Sequence, residues 1–150
     1  MYSAVLIAHS WIRWIAILLG VVTTIAAFTN RGPSSAADRW GLIFMMVLDI
    51  QLLLGLLLYL VLSPFTAEAL KNFGAAMRNP TLRFWAVEHT SLMLAAVILA
   101  HVGRVLARTA RTPQAKRTRQ IVCYTLATLA MIIATPWPGL PNGRPLFRLP

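Results

Sequence analysis

Long apolar runs separated by short polar segments dominate this chain. The runs extend from about Ala4 to Phe28, Trp40 to Leu62, Thr81 to Ala107 and Ile121 to Thr135. A helix rises about 1.5 Å per residue, so roughly 20 apolar residues cross a bilayer core of about 30 Å. The pattern therefore predicts an all-α fold: a four-helix transmembrane bundle that forms a single membrane domain over residues 1–150.

The segments between the runs carry the signals that end a helix. Residues 30–33 read Asn-Arg-Gly-Pro, and the second run ends at Ser63-Pro64. Proline cannot continue the backbone hydrogen bonds of a helix. Apolar and charged residues alternate at helical spacing between residues 64 and 80, which predicts a short interfacial helix between spans two and three. The proline-rich segment 136–150 predicts an irregular C-terminal tail over one end of the bundle.

Composition and charge support a membrane protein. The chain is 58% hydrophobic and only 12% charged, with a formal net charge of +10. The basic residues flank the apolar runs, which favours membrane topology over nucleic-acid binding. The densest basic cluster lies between Arg104 and Arg119. The positive-inside rule then places this loop in the cytoplasm and both termini on the periplasmic side of a bacterial inner membrane.

Several ionisable side chains fall within the predicted spans. Each costs about 2.5 to 3.5 kcal/mol at the bilayer centre, so each requires a partner or a function. They are His9, Arg13, Asp49, Glu88, His89, His101 and Arg104. The lone cysteine, Cys123, allows neither a disulfide nor a cysteine-based metal site within one chain.

Two of the histidines are predicted to lie at the same depth. His9 is near the start of span one and His89 near the start of span three, and these spans cross in the same direction. Facing helices can supply two axial nitrogens to one haem iron, so we predict haem b bound by His9 and His89. Arg13 and Arg83 are candidates to pair with the haem propionates. Glu88 could orient a ligand histidine or accept a proton, or could instead pair with Arg13 or Arg83.

A cofactor-free interpretation remains open at this point. Membrane histidines often form hydrogen bonds between helices, and small residues at helical spacing allow close helix packing. His101 is twelve residues beyond His89, about 18 Å along a helix, so both cannot bind one iron. We predict that Asp49 instead pairs with His101 or Arg104, because buried charges are usually paired. The alternative is that these residues form a functional proton or quinone site.

Several segments together resemble small bacterial four-helix membrane proteins described as cytochrome-b-like. They are His9-Ser-Trp-Ile-Arg13-Trp, Gln51-Leu-Leu-Leu-Gly55, Arg83-Phe-Trp-Ala-Val-Glu88-His89, His101-Val-Gly-Arg104 and Pro136-Trp-Pro. The resemblance covers most of the chain. It implies haem b held by membrane histidines and one-electron exchange with the quinone pool or a partner complex, with quinone as a second candidate cofactor.

The leading hypothesis is a b-type cytochrome subunit rather than a complete enzyme. Its loops are too short for a substrate domain, so its partners would be a dehydrogenase, a soluble cytochrome, or a larger respiratory or photosynthetic membrane complex. The rival is a cofactor-free structural or accessory subunit of such a complex. A small-solute carrier is the weaker third hypothesis, because four spans rarely enclose a pathway without oligomerising.

Overall fold

A computed structural model describes residues 1–29 and 36–147, and the regular structure of these residues is entirely helical. The prediction of an all-α fold is confirmed. The predicted break at residues 30–33 lies outside the described residues. The helices are α1 (Tyr2–Thr29), α2 (Ala36–Leu62), α3 (Pro64–Lys71), α4 (Phe73–Ala76), α5 (Pro80–Arg108) and α6 (Pro113–Ala134).

The four long helices pack in a ring, in which α1 and α5 each contact both α2 and α6. Contacts at the two ends show that neighbours run antiparallel. At one end, Gln51 of α2 donates to the backbone oxygen of His9 near the start of α1. At the other, Arg117 near the start of α6 donates to the Phe28 carbonyl near the end of α1. The first end therefore collects both candidate ligand histidines.

Small residues let the helices approach closely. A Cβ added to Gly20 would lie 2.6 Å from the Thr128 hydroxyl oxygen and 3.2 Å from the Phe44 ring. Ala16, Ala96 and Ala100 are fully buried in the main apolar core. These residues continue the helical faces of His9 and His89, and the space beside them is filled by neighbouring helices. They serve helix packing, as in other membrane proteins.

Three helices, α1, α2 and α5, are long and apolar enough to cross a membrane. Their outward faces are apolar; Leu18, Leu53 and Ile98 are each more than half exposed. Helix α6 does not reach the same hydropathy, because its first two turns are polar and basic. It is nevertheless well enclosed, with eight buried residues along its length.

Caps explain where the shorter helices and α6 begin. The Ser63 side chain accepts from the Thr66 N–H, and Pro64 occupies the first turn of α3. Thr112 and Pro113 start α6 in the same way, eight residues before the predicted boundary at Ile121. The segment 64–80 contains two short helices rather than one, because Asn72 leaves helical geometry and caps α4 with its side-chain oxygen.

After α6 the chain crosses the end of the bundle that carries the histidines. Residues 135–147 form turns and bends without regular helix or strand. The Leu146 carbonyl accepts from Arg13 at 3.0 Å and from the Trp14 indole at 2.9 Å. Phe147 packs against Trp11 and Trp14. This segment therefore closes one side of the site described next.

Candidate functional site

A cavity of about 130 Å³ lies between α1, α2 and α5, with residues of the C-terminal segment on its rim. Both His9 and His89 line it. Most of the remaining wall is apolar, including Leu52, Met93 and Val97. Polar side chains also reach the cavity, and these are Tyr2, Ser10, Arg13, Gln51, Tyr59, Ser63, Thr66, Thr90 and Arg144. A mostly apolar cavity with a few converging polar groups is typical of a cofactor or ligand site.

The two imidazole rings face each other across the bundle interior. Their centroids are 6.4 Å apart and their planes meet at 65°. An iron bound by one nitrogen of each ring at about 2 Å would separate the centroids by roughly 6 Å. The expected juxtaposition of residues 9 and 89 is therefore present, and its spacing fits a metal held between the rings.

His89 is held in one orientation by the end of α6. Its Nδ1 lies 2.9 Å from the Ala134 carbonyl oxygen. The carbonyl of Ala134 would ordinarily accept from the N–H four residues later, but that residue is Pro138, which has none. His89 Nδ1–H supplies the missing donor. This bond fixes the tautomer with Nε2 unprotonated and available as a ligand, as for metal-binding histidines generally.

Pro136 affects a second carbonyl in the same turn. Pro136 cannot donate to Ile132, and the Ile132 carbonyl accepts instead from the Thr135 N–H at 3.3 Å and from the Trp137 indole N–H at 2.8 Å. Trp137 also packs edge-on against Trp14. The end of α6 at the Pro-Trp-Pro sequence thus offers one carbonyl to Trp137 and another to His89.

His9 is packed against α2. Its Nδ1 is buried and has no hydrogen-bond partner among the described residues. A Cβ added to Gly55 would lie 3.3 Å from His9 Cε1. The absence of a side chain at Gly55 therefore makes space for the His9 ring. The Gln51 amide donates to the His9 backbone oxygen at 3.0 Å. A buried imidazole with an unpaired nitrogen beside a cavity is suited to binding a metal or cofactor.

The chain matches no protein-family model, no curated protein and no solved structure. What the site can do therefore follows from its own residues. The described residues contain no group of three or more His, Cys, Asp or Glu side chains placed to hold a bare metal ion. A macrocycle that brings four nitrogens of its own needs only two axial ligands, a role for which His9 and His89 are the candidates.

Of the two arginines expected at the site, only Arg13 lines the cavity. Arg13 is almost buried, and one of its nitrogens donates to the Leu146 carbonyl. Arg83 does not line the cavity; it pairs with Glu88 at 2.6 Å and also donates to the Met77 carbonyl. Among the roles considered for Glu88, the structure therefore shows the ion pair with Arg83.

Arg144 occupies a position at the cavity that sequence reasoning missed. Its guanidinium lies over the rings of Phe65 and Trp85, at 5.2 and 5.3 Å from their centroids. These cation–π contacts hold a positive charge at the cavity rim. Trp85 in turn packs against His89, with ring centroids 5.6 Å apart. The sequence could not predict this position, because the irregular segment after α6 brings Arg144 back to the cavity.

The second polar cluster lies further from the histidine end of the bundle, and its Asp49 and His101 side chains are 43% exposed. His101 Nε2 is 3.4 Å from Asp49 Oδ1, which confirms the predicted pairing of Asp49 with His101. Arg104 is directed elsewhere and donates to the Asp38 backbone oxygen at 3.2 Å. Neither Asp49 nor His101 lines the cavity, but the adjacent Leu48 and Val97 do.

Proposed function

We propose that this chain is a b-type haem-binding subunit that carries electrons within a membrane. The observation that carries the proposal is the His9–His89 pair, two imidazoles spaced as the axial ligands of one iron and lining one cavity. The hydrogen bond from His89 Nδ1–H to the Ala134 carbonyl adds support, because histidines that bind a metal usually donate their other ring N–H to an acceptor of this kind.

In this proposal the polypeptide supplies the ligands, the charge and the enclosure. His9 and His89 would bind the iron through ring nitrogens, while Arg13 and Arg144 would pair with the two propionates of haem b. Haem supplies one-electron chemistry when it is bound. The apolar wall, including Leu52 and Met93, would exclude water, and the segment that ends at Phe147 would cover the site.

We further propose that α6 is the fourth span and that the four long helices form a transmembrane bundle. The polar first turns of α6 would lie in the headgroup region, and its apolar remainder packs against α1 and α5 and leaves an exposed apolar face at Val122, Leu126, Leu129 and Ile133. The end of the bundle opposite the histidines carries a concentration of basic residues, namely Arg39, Arg104, Arg108, Arg111, Lys116, Arg117 and Arg119. The positive-inside rule would place that end in the cytoplasm of a bacterium and the histidine site near the periplasm.

The proposed subunit would work with partners. Its electrons would pass between the quinone pool or a partner redox complex and an acceptor such as a soluble cytochrome. Helix α3 is a candidate contact surface in the membrane interface, because it exposes the apolar Leu70 together with the Glu68–Lys71 ion pair. The exposed Phe147 and Leu140 offer a second candidate surface.

The absorption spectrum of the purified protein tests this function. We expect sharp Soret and α bands in the reduced-minus-oxidised difference spectrum, and about one haem per chain by pyridine haemochrome assay. Expression in a host supplied with a haem precursor ensures that cofactor supply does not limit occupancy. A colourless protein from that host would overturn the proposal.

A cofactor-free accessory subunit is the second candidate. The observation that favours it is that the two imidazole rings contact each other edge to face. Such a contact stabilises ring packing without a metal. In that case Arg13 would serve only to hold the Leu146 carbonyl. A colourless protein that copurifies with a larger membrane complex would support this function.

A further inference from the structure

Asp49 and His101 form a polar pair on an otherwise apolar surface. Both side chains are 43% exposed, with Asp49 in the middle of α2 and His101 about two turns before the end of α5. The residues one helical turn away on the same faces are exposed and apolar: Met46 and Leu53 on α2, and Ile98 and Val105 on α5. Ionisable groups within membrane spans are rare, and Asp and His side chains are among those that relay protons there in pumps and transporters.

The hydrogen bonds of the His101 ring show how many protons the pair holds. Its Nδ1 lies 3.0 Å from the Val97 carbonyl oxygen, which can only accept, so Nδ1 carries a hydrogen. Its Nε2 lies 3.4 Å from Asp49 Oδ1. If His101 were neutral while Asp49 was ionised, the lone pair on His101 Nε2 would face the negatively charged Asp49 Oδ1. One further proton between Nε2 and Oδ1 removes this repulsion.

The pair adjoins both the cavity and the basic end of the bundle. Val97, which accepts from His101, lines the cavity, and so does Leu48, the neighbour of Asp49. In the other direction, His101 lies seven residues before the end of α5 at Arg108, about 10 Å along the helix. A charge added in the cavity therefore acts on the pair through a short path of low dielectric.

The charged group nearest to His101 along α5 is Arg104, one turn further on, which donates to the backbone of α2. The other titratable or charged side chains on the four long helices are Tyr2, His9 and Arg13 on α1, Asp38, Arg39 and Tyr59 on α2, Arg83, Glu88, His89 and Arg108 on α5, and Lys116, Arg117, Arg119, Cys123 and Tyr124 on α6.

We infer that Asp49 and His101 form a proton-binding site whose occupancy follows the charge in the neighbouring cavity. The inference rests on the proposed function, in which the cavity gains one negative charge when an electron reduces ferric haem to ferrous. One proton then leaves a hydronium ion in the water at the basic end and enters the gap between Nε2 and Oδ1. On reoxidation the electron leaves and the proton returns to water.

The first measurement counts hydrogens on the His101 ring and does not require haem. In protein labelled with ¹⁵N-histidine at neutral pH, reduced with dithionite where it contains haem, we expect hydrogen on both ring nitrogens of His101. In Asp49→Asn, which keeps the side-chain shape, we expect hydrogen on Nδ1 alone. Hydrogen on a single nitrogen in the unmodified protein, or on both in Asp49→Asn, would overturn the proton site.

The second measurement is the pH dependence of the haem midpoint potential. The potential should fall as pH rises in the unmodified protein, and this slope should be lost in Asp49→Asn and restored in Asp49→Glu. Glu68→Gln is the matched control, because it removes an exposed carboxylate that pairs with Lys71, and it should keep the slope. An unchanged slope in Asp49→Asn would overturn the coupling.

The two measurements separate this inference from the proposed function. A colourless protein would end both the proposed function and the coupling, while the nitrogen signals would still decide whether the pair holds a proton. A haem protein without a slope would keep the proposed function and reject the coupling. Should Asp49→Asn fail to fold, His101→Gln removes the same proton site and is expected to lose the slope.

Discussion

His89 is anchored through Nδ1 to the Ala134 carbonyl, 2.9 Å away and 45 residues further along the chain. The bond exists because Pro138 cannot supply the N–H that this carbonyl would otherwise receive in a continued helix. The end of α6 therefore determines the orientation of a side chain on α5. In the proposed cytochrome, this contact leaves His89 Nε2 directed to its metal.

Gly55→Ala tests the room made for His9. The added Cβ would lie 3.3 Å from His9 Cε1, so the ring must shift. Overpacking of this kind costs about 1 to 3 kcal/mol. We expect haem affinity to fall roughly tenfold, which corresponds to about 1.4 kcal/mol, as measured by haem titration of the apoprotein.

Gly74→Ala is the matched control for this substitution, because its Cβ would meet Asn72 only at 3.8 Å, an ordinary contact. It should leave affinity unchanged. Equal affinity in Gly55→Ala and in the unmodified protein would contradict the proposed place of His9 at the haem.

Arg144→Gln tests the charge at the cavity rim. The guanidinium lies over Phe65 and Trp85 and lines the cavity, where it would meet a propionate. A hydrogen bond to a charged group contributes about 1.5 to 3 kcal/mol. We therefore expect haem affinity to fall by roughly tenfold or more.

Arg83→Gln provides the comparison for Arg144. Arg83 pairs with Glu88 outside the cavity, and both side chains are partly exposed. Such pairs contribute about 0 to 1 kcal/mol, so the effect on haem affinity should be small. A larger loss for Arg83→Gln than for Arg144→Gln would restore the role first expected for Arg83.

The depth of the two histidines could be predicted from sequence, because each lies near the start of a long apolar run and helical rise is constant. The pairing of Asp49 with His101 followed from the same reasoning. Arg144 could not be predicted, because an irregular segment brings it to the cavity and periodicity says nothing about such segments. Its sequence signal is local: two prolines at positions 136 and 138 end α6 and turn the chain back.

The small residues beside the histidines show a different limit. Gly20, Ala16 and Ala96 share helical faces with the proposed ligands, a pattern that suits both a flat cofactor and close helix packing. In the structure Ala16 and Ala96 are buried in the core, and Phe44 fills the space beside Gly20. Periodicity identifies an inward face, but only packing shows what occupies it.

Tyr59→Phe tests a contact between two irregular turns. The Tyr59 hydroxyl donates to the Ala86 carbonyl at 3.0 Å, joining the π-helical turns Leu58–Leu62 and Phe84–Glu88. Its loss should lower the free energy of unfolding by about 1 kcal/mol. The measurement is denaturant unfolding in detergent micelles.

Tyr2→Phe is the control for this loss, because the Tyr2 hydroxyl donates no hydrogen bond within the described residues. It should unfold at the same denaturant concentration as the unmodified protein. Equal stability of all three proteins would show that the Tyr59 contact contributes nothing.

The proposed orientation can be tested with reporter fusions. Alkaline phosphatase fused after residue 150 should be active, because the proposal places the C-terminus in the periplasm. The same enzyme fused within residues 109–112, between α5 and α6, should be inactive, because the basic end is proposed to be cytoplasmic. The reverse activities would contradict the orientation.

The central claim is that the two facing imidazoles bind one haem iron, and the spectra of single histidine variants test it most directly. In His9→Gly and His89→Gly we expect loss of the six-coordinate low-spin spectrum, with recovery when imidazole is added. His101→Gln should keep the spectrum, because His101 pairs with Asp49 and lies outside the cavity. Retention of the unmodified low-spin spectrum by either His9→Gly or His89→Gly, without added imidazole, would contradict the claim.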